Sequence, residues 1–120
     1  MKTHKNLVVW QKSMLLVRRV YQLTQTFPKD EIYGLTSQIR RAAVSIPSNI
    51  AEGYGRSTDK EIIRFLYVSS GSASEVETQL IICRDIEYLS AEQFMELDVL
   101  TNEIIRMLSS LINKRSNSPC

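Results

Sequence analysis

Apolar residues recur at three- and four-residue spacing along most of the chain, which predicts an all-α protein. The first helix covers residues 7–26, and one apolar stripe along it contains Leu7, Trp10, Met14, Val17, Tyr21 and Thr24. A second stripe on a neighbouring face contains Val9, Leu16, Val20 and Leu23. Two apolar stripes indicate more than one packing partner, so we assign the first stripe to the core and the second to another contact. Phe27-Pro28 ends the helix, because the residue before a proline is pushed out of the helical region.

The second helix begins between residues 30 and 36 and ends at Gly53-Tyr54-Gly55, where glycine is the expected C-terminal stop. Its apolar stripe contains Leu35, Ile39, Ala42, Ala43, Ile46, Ile50 and Gly53. Pro47 lies inside this pattern. Because proline removes one backbone donor and clashes with the preceding turn, we predict a kink rather than two separate helices.

Two capping-box patterns mark the starts of the third and fourth helices, Thr58 with Glu61 and Ser90 with Gln93. A run of small residues at 69–74 interrupts neither the apolar period nor the helix, so it predicts a close approach by another helix. Four helices with short connections favour an up-down-up-down bundle. We expect one domain over residues 1–120, with flexible tails at 1–6 and 113–120.

A polar stripe follows the second helix beside its core stripe. Its members are Gln38, Arg41, Ser45, Asn49, Glu52 and Arg56, and the last two have the spacing of an intrahelical ion pair. One interpretation is a solvated helix face. The other is a polar network across a helix or subunit seam, which we favour because little of this helix is left for water.

The composition argues against catalysis and against bound cofactors. His4 is the only histidine, and no CxxC pair accompanies the two cysteines. Cys83 lies on the core stripe of the third helix, as a small buried residue would. We therefore expect no enzyme activity, no catalytic residue, no metal, no cofactor and no small-molecule substrate. No leader-like or membrane-spanning segment is visible, so the expected location is the cytoplasm, with no membrane partner.

Charge is distributed unevenly along the chain, whose net charge is +2. Residues 1–56 hold nine basic and three acidic residues, a net charge of +6, whereas residues 57–120 hold six and ten, a net charge of −4. Candidate phosphate contacts in the basic half are Lys12, Arg18, Arg19 and Arg40. The alternative, that basic helices face acidic ones, is favoured because no RNA-binding motif accompanies these residues.

The second helix also resembles a known family. The string Ser45-Ile46-Pro47-Ser48-Asn49-Ile50-Ala51-Glu52-Gly53, together with Trp10-Gln11-Lys12, Phe27-Pro28, Phe65-Leu66 and Gly71-Ser72, is similar to the four-helix-bundle proteins called 23S ribosomal RNA intervening-sequence proteins. The resemblance implies a left-handed up-down-up-down bundle and a homopentameric ring. It implies no established biochemical activity, because the link to rRNA is one of gene location.

Two functional hypotheses follow. The first is a non-enzymatic homo-oligomeric assembly module, which rests on apolar residues beyond those that a four-helix core needs. These candidate oligomer faces are Val9, Leu16, Val20 and Leu23 in the first helix and Ile63, Tyr67 and Ile81 in the third. The alternative is an RNA-binding or ribonucleoprotein accessory protein that uses the basic surface of the first two helices.

Overall fold

The structure is a computed structural model that describes residues 3–117. Its four long helices are α1 (Val8–Thr24), α2 (Leu35–Tyr54), α3 (Asp59–Asp85) and α4 (Ala91–Ser116). Short 3-10 turns, His4–Asn6 and Lys29–Glu31, precede α1 and α2. Residues 3–117 contain no strand, so the all-α prediction is confirmed. The helices pack in cyclic order, because α2 and α4 each contact both α1 and α3.

The helix starts follow from side-chain capping. Ser90 Oγ accepts from the backbone N of Gln93 at 3.1 Å, and the Gln93 side chain accepts from the backbone N of Ser90 at 3.0 Å, which completes the predicted capping box. At α3 only half of the box forms. Thr58 Oγ1 accepts from the backbone N of Glu61 at 3.2 Å, but the Glu61 carboxylate accepts from Arg64 instead.

The core corrects the assignment of the two stripes on α1. Val9, Leu16 and Val20, which were assigned to an oligomer face, are fully buried inside the chain's own bundle. Leu23 is half-buried against the same core, and Trp10 and Val17 from the other stripe are half-buried at its edge. The helix is therefore turned so that the shorter stripe faces inward.

Buried hydroxyl groups explain why the sequence pattern misassigned α1. Ser13 and Thr24 are buried beside Leu16 and Val20, and each hydroxyl donates to a carbonyl of the preceding turn, at 2.7 Å. A buried hydroxyl is tolerated when it is hydrogen-bonded in this way. A pattern of apolar residues counts serine as polar and therefore omits Ser13 from the buried stripe. That omission made the stripe with Val9, Leu16 and Val20 look less like the core side of α1.

The small residues of α3 lie at its contact with α2. The run at 69–74 is helical, as predicted, and Ser69 is buried with its Oγ donating to the carbonyl O of Ile46 in α2 at 2.9 Å. Pro47, the next residue of α2, is also buried, and α2 is helical on both sides of it. The bend at Pro47 stays a prediction.

The chain ends differ from the expected tails. Residues 4–6 form a 3-10 turn, and α4 continues to Ser116 instead of ending at residue 112. Lys114 and Arg115 lie in the last turn of α4, where cations interact favourably with the helix dipole. The rest of the predicted tails, residues 1–2 and 118–120, lies outside the described part of the chain.

Candidate self-association surface

The polar stripe of α2 lies partly at the contact with α3. The Oγ atoms of Ser45 and Ser72 are 2.8 Å apart, and Asn49 Nδ2 donates to the carbonyl O of Ser45 at 2.8 Å and to its Oγ at 2.9 Å. These three residues are half-buried. They form a hydrogen-bonded network between two helices of one chain, and Ser72 is the member that the sequence analysis did not identify.

The outer members of the stripe face solvent. Gln38 and Arg41 are exposed and line a shallow cavity of about 380 Å³ beside the serine pair. Glu52 and Arg56 form an exposed ion pair at 2.8 Å, and the Arg56 guanidinium lies 4.9 Å from the centre of the Phe65 ring. The stripe thus has an inner part within the bundle and an outer part in water.

Two of the four candidate phosphate contacts are neutralised by α4. Lys12 Nζ lies 3.1 Å from a carboxylate oxygen of Glu103. Arg19 donates to both carboxylate oxygens of Glu96, at 2.6 and 2.8 Å. This hydrogen bonding lowers the pKa of Glu96 and raises the pKa of Arg19. The arrangement matches the interpretation in which basic helices face acidic ones.

The other two candidate contacts differ from each other. Arg40 Nε donates to Thr24 Oγ1 at 2.9 Å, and its guanidinium lies 4.5 Å from the centre of the Tyr21 ring, so this side chain connects α2 to α1. Arg18 is exposed, and within residues 3–117 it makes no ion pair and no side-chain hydrogen bond. Among the four, Arg18 is therefore the residue most available to an external anion.

Several large apolar side chains remain in water. Tyr67 is 61% exposed and Ile81 is 38% exposed, whereas Ile63 is half-buried against the core. Met95, which is 58% exposed, and Val44, which is 39% exposed, were not among the predicted oligomer faces. Met95 lies outside the apolar stripe of α4, so helical periodicity gave no signal for it. Val44 lies with Pro47 and Ala51 on a third side of α2, and that pattern predicts little exposure to water.

Cys83 and His4, the side chains best suited to act as a nucleophile and a base, make packing contacts within the bundle. Cys83 is fully buried, and burial raises the pKa of its thiol to about 11, with a further contribution from the negative charge of Glu31. His4 packs edge-on against Trp10, with ring centres 5.3 Å apart. Within residues 3–117 no three His, Cys, Asp or Glu side chains are grouped as metal ligands would be. None of the helices in this range is both long and apolar enough to span a membrane.

Comparison with known proteins decides the family. The model of the 23S rRNA-intervening sequence protein family matches residues 5–110. The chain belongs to this family. The resemblance recognised in the sequence is thereby confirmed, and no curated protein matches the chain.

A solved structure has the same architecture. It is the crystal structure of a protein of unknown function from the S23 ribosomal protein family of Bacteroides thetaiotaomicron. The two chains are 27% identical and superpose with a TM-score of 0.82 over 88% of this chain and 98% of the other. The function of the relative is not known, so the comparison supports the fold and the family and leaves the function to be argued from the surface.

The string by which the family is recognisable lies at the α2–α3 contact. Ser45 and Asn49 belong to the hydrogen-bonded network, and Ile46 supplies the carbonyl that accepts from Ser69. Gly53, at the end of the string, is buried, and a Cβ atom built on it would lie 2.9 Å from the Cβ of Phe65. The string therefore has a packing role within the bundle.

Proposed function

We propose that this chain is a non-enzymatic module that assembles with further copies of itself, and that the assembly is the pentameric ring implied by the family resemblance. The observation that carries the proposal is the exposed apolar surface. Tyr67, Ile81 and Met95 leave large apolar areas in water in a single chain. Soluble monomers rarely expose contiguous apolar patches of more than a few hundred Å², and larger ones mark interaction sites.

The state of Cys83 supports a role without catalysis. A cysteine nucleophile needs its thiolate, and a thiol with a pKa of about 11 remains protonated at neutral pH. His4 packs on Trp10 near the start of α1, whereas Cys83 lies near the end of α3, so the two do not form a nucleophile–base pair. A module of this kind would act in the cytoplasm.

The order of the contacts supports the proposed up-and-down arrangement. Lys12 precedes Arg19 by seven residues in α1, whereas its partner Glu103 follows the Arg19 partner, Glu96, by seven residues in α4. Between α2 and α3, Ser45 contacts Ser72 while the later Gly53 approaches Phe65. Both pairs of helices have the contact order of antiparallel neighbours. We propose the left-handed up-down-up-down bundle with a bend at Pro47.

The RNA hypothesis has weaker support from the geometry. Lys12 and Arg19 already have carboxylate partners, and Arg40 lies between α1 and α2. A phosphate would have to displace these contacts to use the three cations. We therefore keep RNA binding as the second candidate, with Arg18 as its central residue.

Light scattering coupled to gel filtration, at micromolar concentration, tests the assembly. We expect a mass of several times the 13.8 kDa chain, at both low and high salt, because apolar burial rather than charge holds the copies together. A single species of 13.8 kDa across that range of salt would refute the proposal.

A further inference from the structure

The cyclic order of the helices gives the bundle two opposite sides. The four helices contact one another in the order α1, α2, α3, α4 and back to α1. The side formed by α1 and α2 therefore faces away from the side formed by α3 and α4. A surface on one side cannot contact a surface on the other side of the same chain. The two sides can meet only in a second molecule.

The first side contains an apolar groove. A cavity of about 340 Å³ opens between α1 and α2, and Val44 at its edge is 39% exposed. The residues that make it apolar, which we call the α1/α2 groove, are Trp10, Met14, Val17, Val44, Pro47 and Ala51. The groove is concave, apolar and open to solvent, as a docking surface for an apolar side chain needs to be.

The opposite side presents apolar side chains that project into solvent. Tyr67 and Ile81 are fourteen residues apart, which places them about 40° from each other around α3. Tyr67 lies about 140° from Ser72, the residue that contacts α2, so it points away from that helix. Met95 of α4 follows Phe94, whose ring is covered by Arg84 of α3. We call Tyr67, Gly71, Ile81 and Met95 the α3/α4 face.

Gly71 distinguishes this face from an ordinary helix surface. A Cβ atom built on Gly71 meets nothing within 4 Å, and its backbone is not in the left-handed region. Neither packing nor backbone conformation within the described chain requires glycine there. A glycine one turn from an exposed tyrosine allows another backbone to come close beside that tyrosine.

The two halves of the chain that supply these sides carry opposite net charges. The half of the chain that contains α1 and α2 carries +6 and the other half −4, and removing the two ion pairs of Lys12 and Arg19 with α4 still leaves +4 and −2. If two copies met through the same side, like charges would come together. If the α1/α2 side of one copy met the α3/α4 side of another, opposite charges would come together. Arg18 is exposed on α1, whereas Arg41 and Glu75 line one cavity at the α2–α3 contact and belong to neither side.

We propose that the α1/α2 groove of one copy receives the α3/α4 face of a second copy, with Tyr67 inserted into the groove and Gly71 at the closest approach. This inference rests on the proposed function and adds which surfaces meet. Each copy has one groove and one face, so the contact is head-to-tail. Such a contact continues from copy to copy and closes into a ring if the rotation between copies allows it.

Two single variants test the proposal, one on each surface. Val44→Glu places a charge in the groove, and Tyr67→Glu removes the inserted ring and adds an acid. Loss of an interface anchor weakens association at least about 30-fold, so we expect each variant alone to be a monomer of 13.8 kDa by light scattering. The control is Val8→Glu, since Val8 is 51% exposed but lines the α1/α4 side, and this variant should assemble as the wild type does.

Mixing the two variants gives the decisive result. Val44→Glu keeps an intact α3/α4 face and Tyr67→Glu keeps an intact groove, so an equimolar mixture should form a complex of one chain of each. No complex in the mixture, or assembly of either variant alone, would overturn the proposal. If the wild type assembles but the variants give either of these results, the choice of surfaces is wrong and the proposed self-assembly still stands. Far-ultraviolet circular dichroism verifies that each variant is folded, and Ile81→Glu replaces Tyr67→Glu if that variant does not fold.

Discussion

Two glycines in similar helical surroundings should respond in opposite ways to the same substitution. Gly53 and Gly71 each lie inside a helix, and neither has a positive φ. Replacing Gly71, in the middle of α3, with alanine gains about 0.5–1 kcal/mol of intrinsic helix stability, and replacing Gly53, in the last turn of α2, gains at most that much. The difference between the two variants must come from the space around the added methyl group.

The geometry gives the magnitude of that difference. At Gly53 the new Cβ would lie 2.9 Å from Phe65 Cβ and 3.3 Å from the carbonyl O of Ile62, and neither atom is the end of a flexible side chain. Helices α2 and α3 must separate, at the cost of about 1–3 kcal/mol that overpacking has in other cores. At Gly71 nothing lies within 4 Å. We expect Gly53→Ala to lose about 1–2 kcal/mol of unfolding free energy and Gly71→Ala to gain about 0.5–1 kcal/mol.

Urea unfolding followed by circular dichroism measures both changes. All variants are compared at one protein concentration, because self-association raises apparent stability. The series is repeated in the Tyr67→Glu background, in which we expect the chain to be monomeric. In a thermal melt the two variants should differ by roughly 6–12 °C, since about 4 °C corresponds to 1 kcal/mol at this size. Equal stability of the two variants would refute the argument that close approach of α3 requires Gly53.

Three further predictions concern the thiol, the polar network and RNA. In a Cys120→Ser background, Cys83 of the folded chain should react with iodoacetamide at pH 8 at least about 100-fold more slowly than in urea, because its pKa is raised to about 11. In the folded chain this thiol ionises only near pH 11, whereas in the unfolded chain it ionises near its usual pKa of 9.0. The protonated thiol should therefore contribute about 3 kcal/mol to the free energy of unfolding below pH 9, and this contribution should disappear as the pH rises toward 11. Urea unfolding should show that loss in the chain with Cys83 and not in Cys83→Ala; identical pH profiles would contradict it. Asn49→Ala should lower the unfolding free energy by about 1–2 kcal/mol and the exposed Glu92→Ala by less than about 0.5, and equal losses would place Asn49 in water. Filter binding of rRNA fragments should be weak, fall with salt and decrease further in Arg18→Glu, whereas binding that is insensitive to salt would exclude a phosphate-contacting surface.

The sequence predicts most of the fold because the helix signals are local. The Ser90 capping box, the Thr58 N-cap and the helix through the small residues at 69–74 all depend on neighbours within about one turn. The rotation of α1 depends on long-range packing instead. Because Ser13 is buried with its hydroxyl bonded to the preceding turn, a count of apolar positions that omits it assigned Val9, Leu16 and Val20 to the wrong surface.

The candidate surfaces also combine features that local sequence predicts with features that depend on long-range packing. Periodicity identified Tyr67 and Ile81 as apolar residues outside the core stripe, and it places Val44 on a third side of α2. The exposure of Val44 and Met95 became visible only in the structure. The partners of Lys12 and Arg19 lie in α4, far along the chain, so the sequence could show the excess of charge and not its neutralisation. The hydrogen bond from Ser69 to Ile46 depends on the relative rotation of two helices, and no single-helix pattern contains that information.

The pairing of α1 with α4 also has a consequence for synthesis on the ribosome. Arg19 and Glu96 are separated by 77 residues, so the carboxylates that cover the basic side of α1 are made well after α1 itself. While the chain is still growing, α1 and α2 can pack together, but Lys12 and Arg19 have not yet met α4. For that interval the nascent chain carries an open basic surface, which closes when α4 has left the exit tunnel and packs on α1.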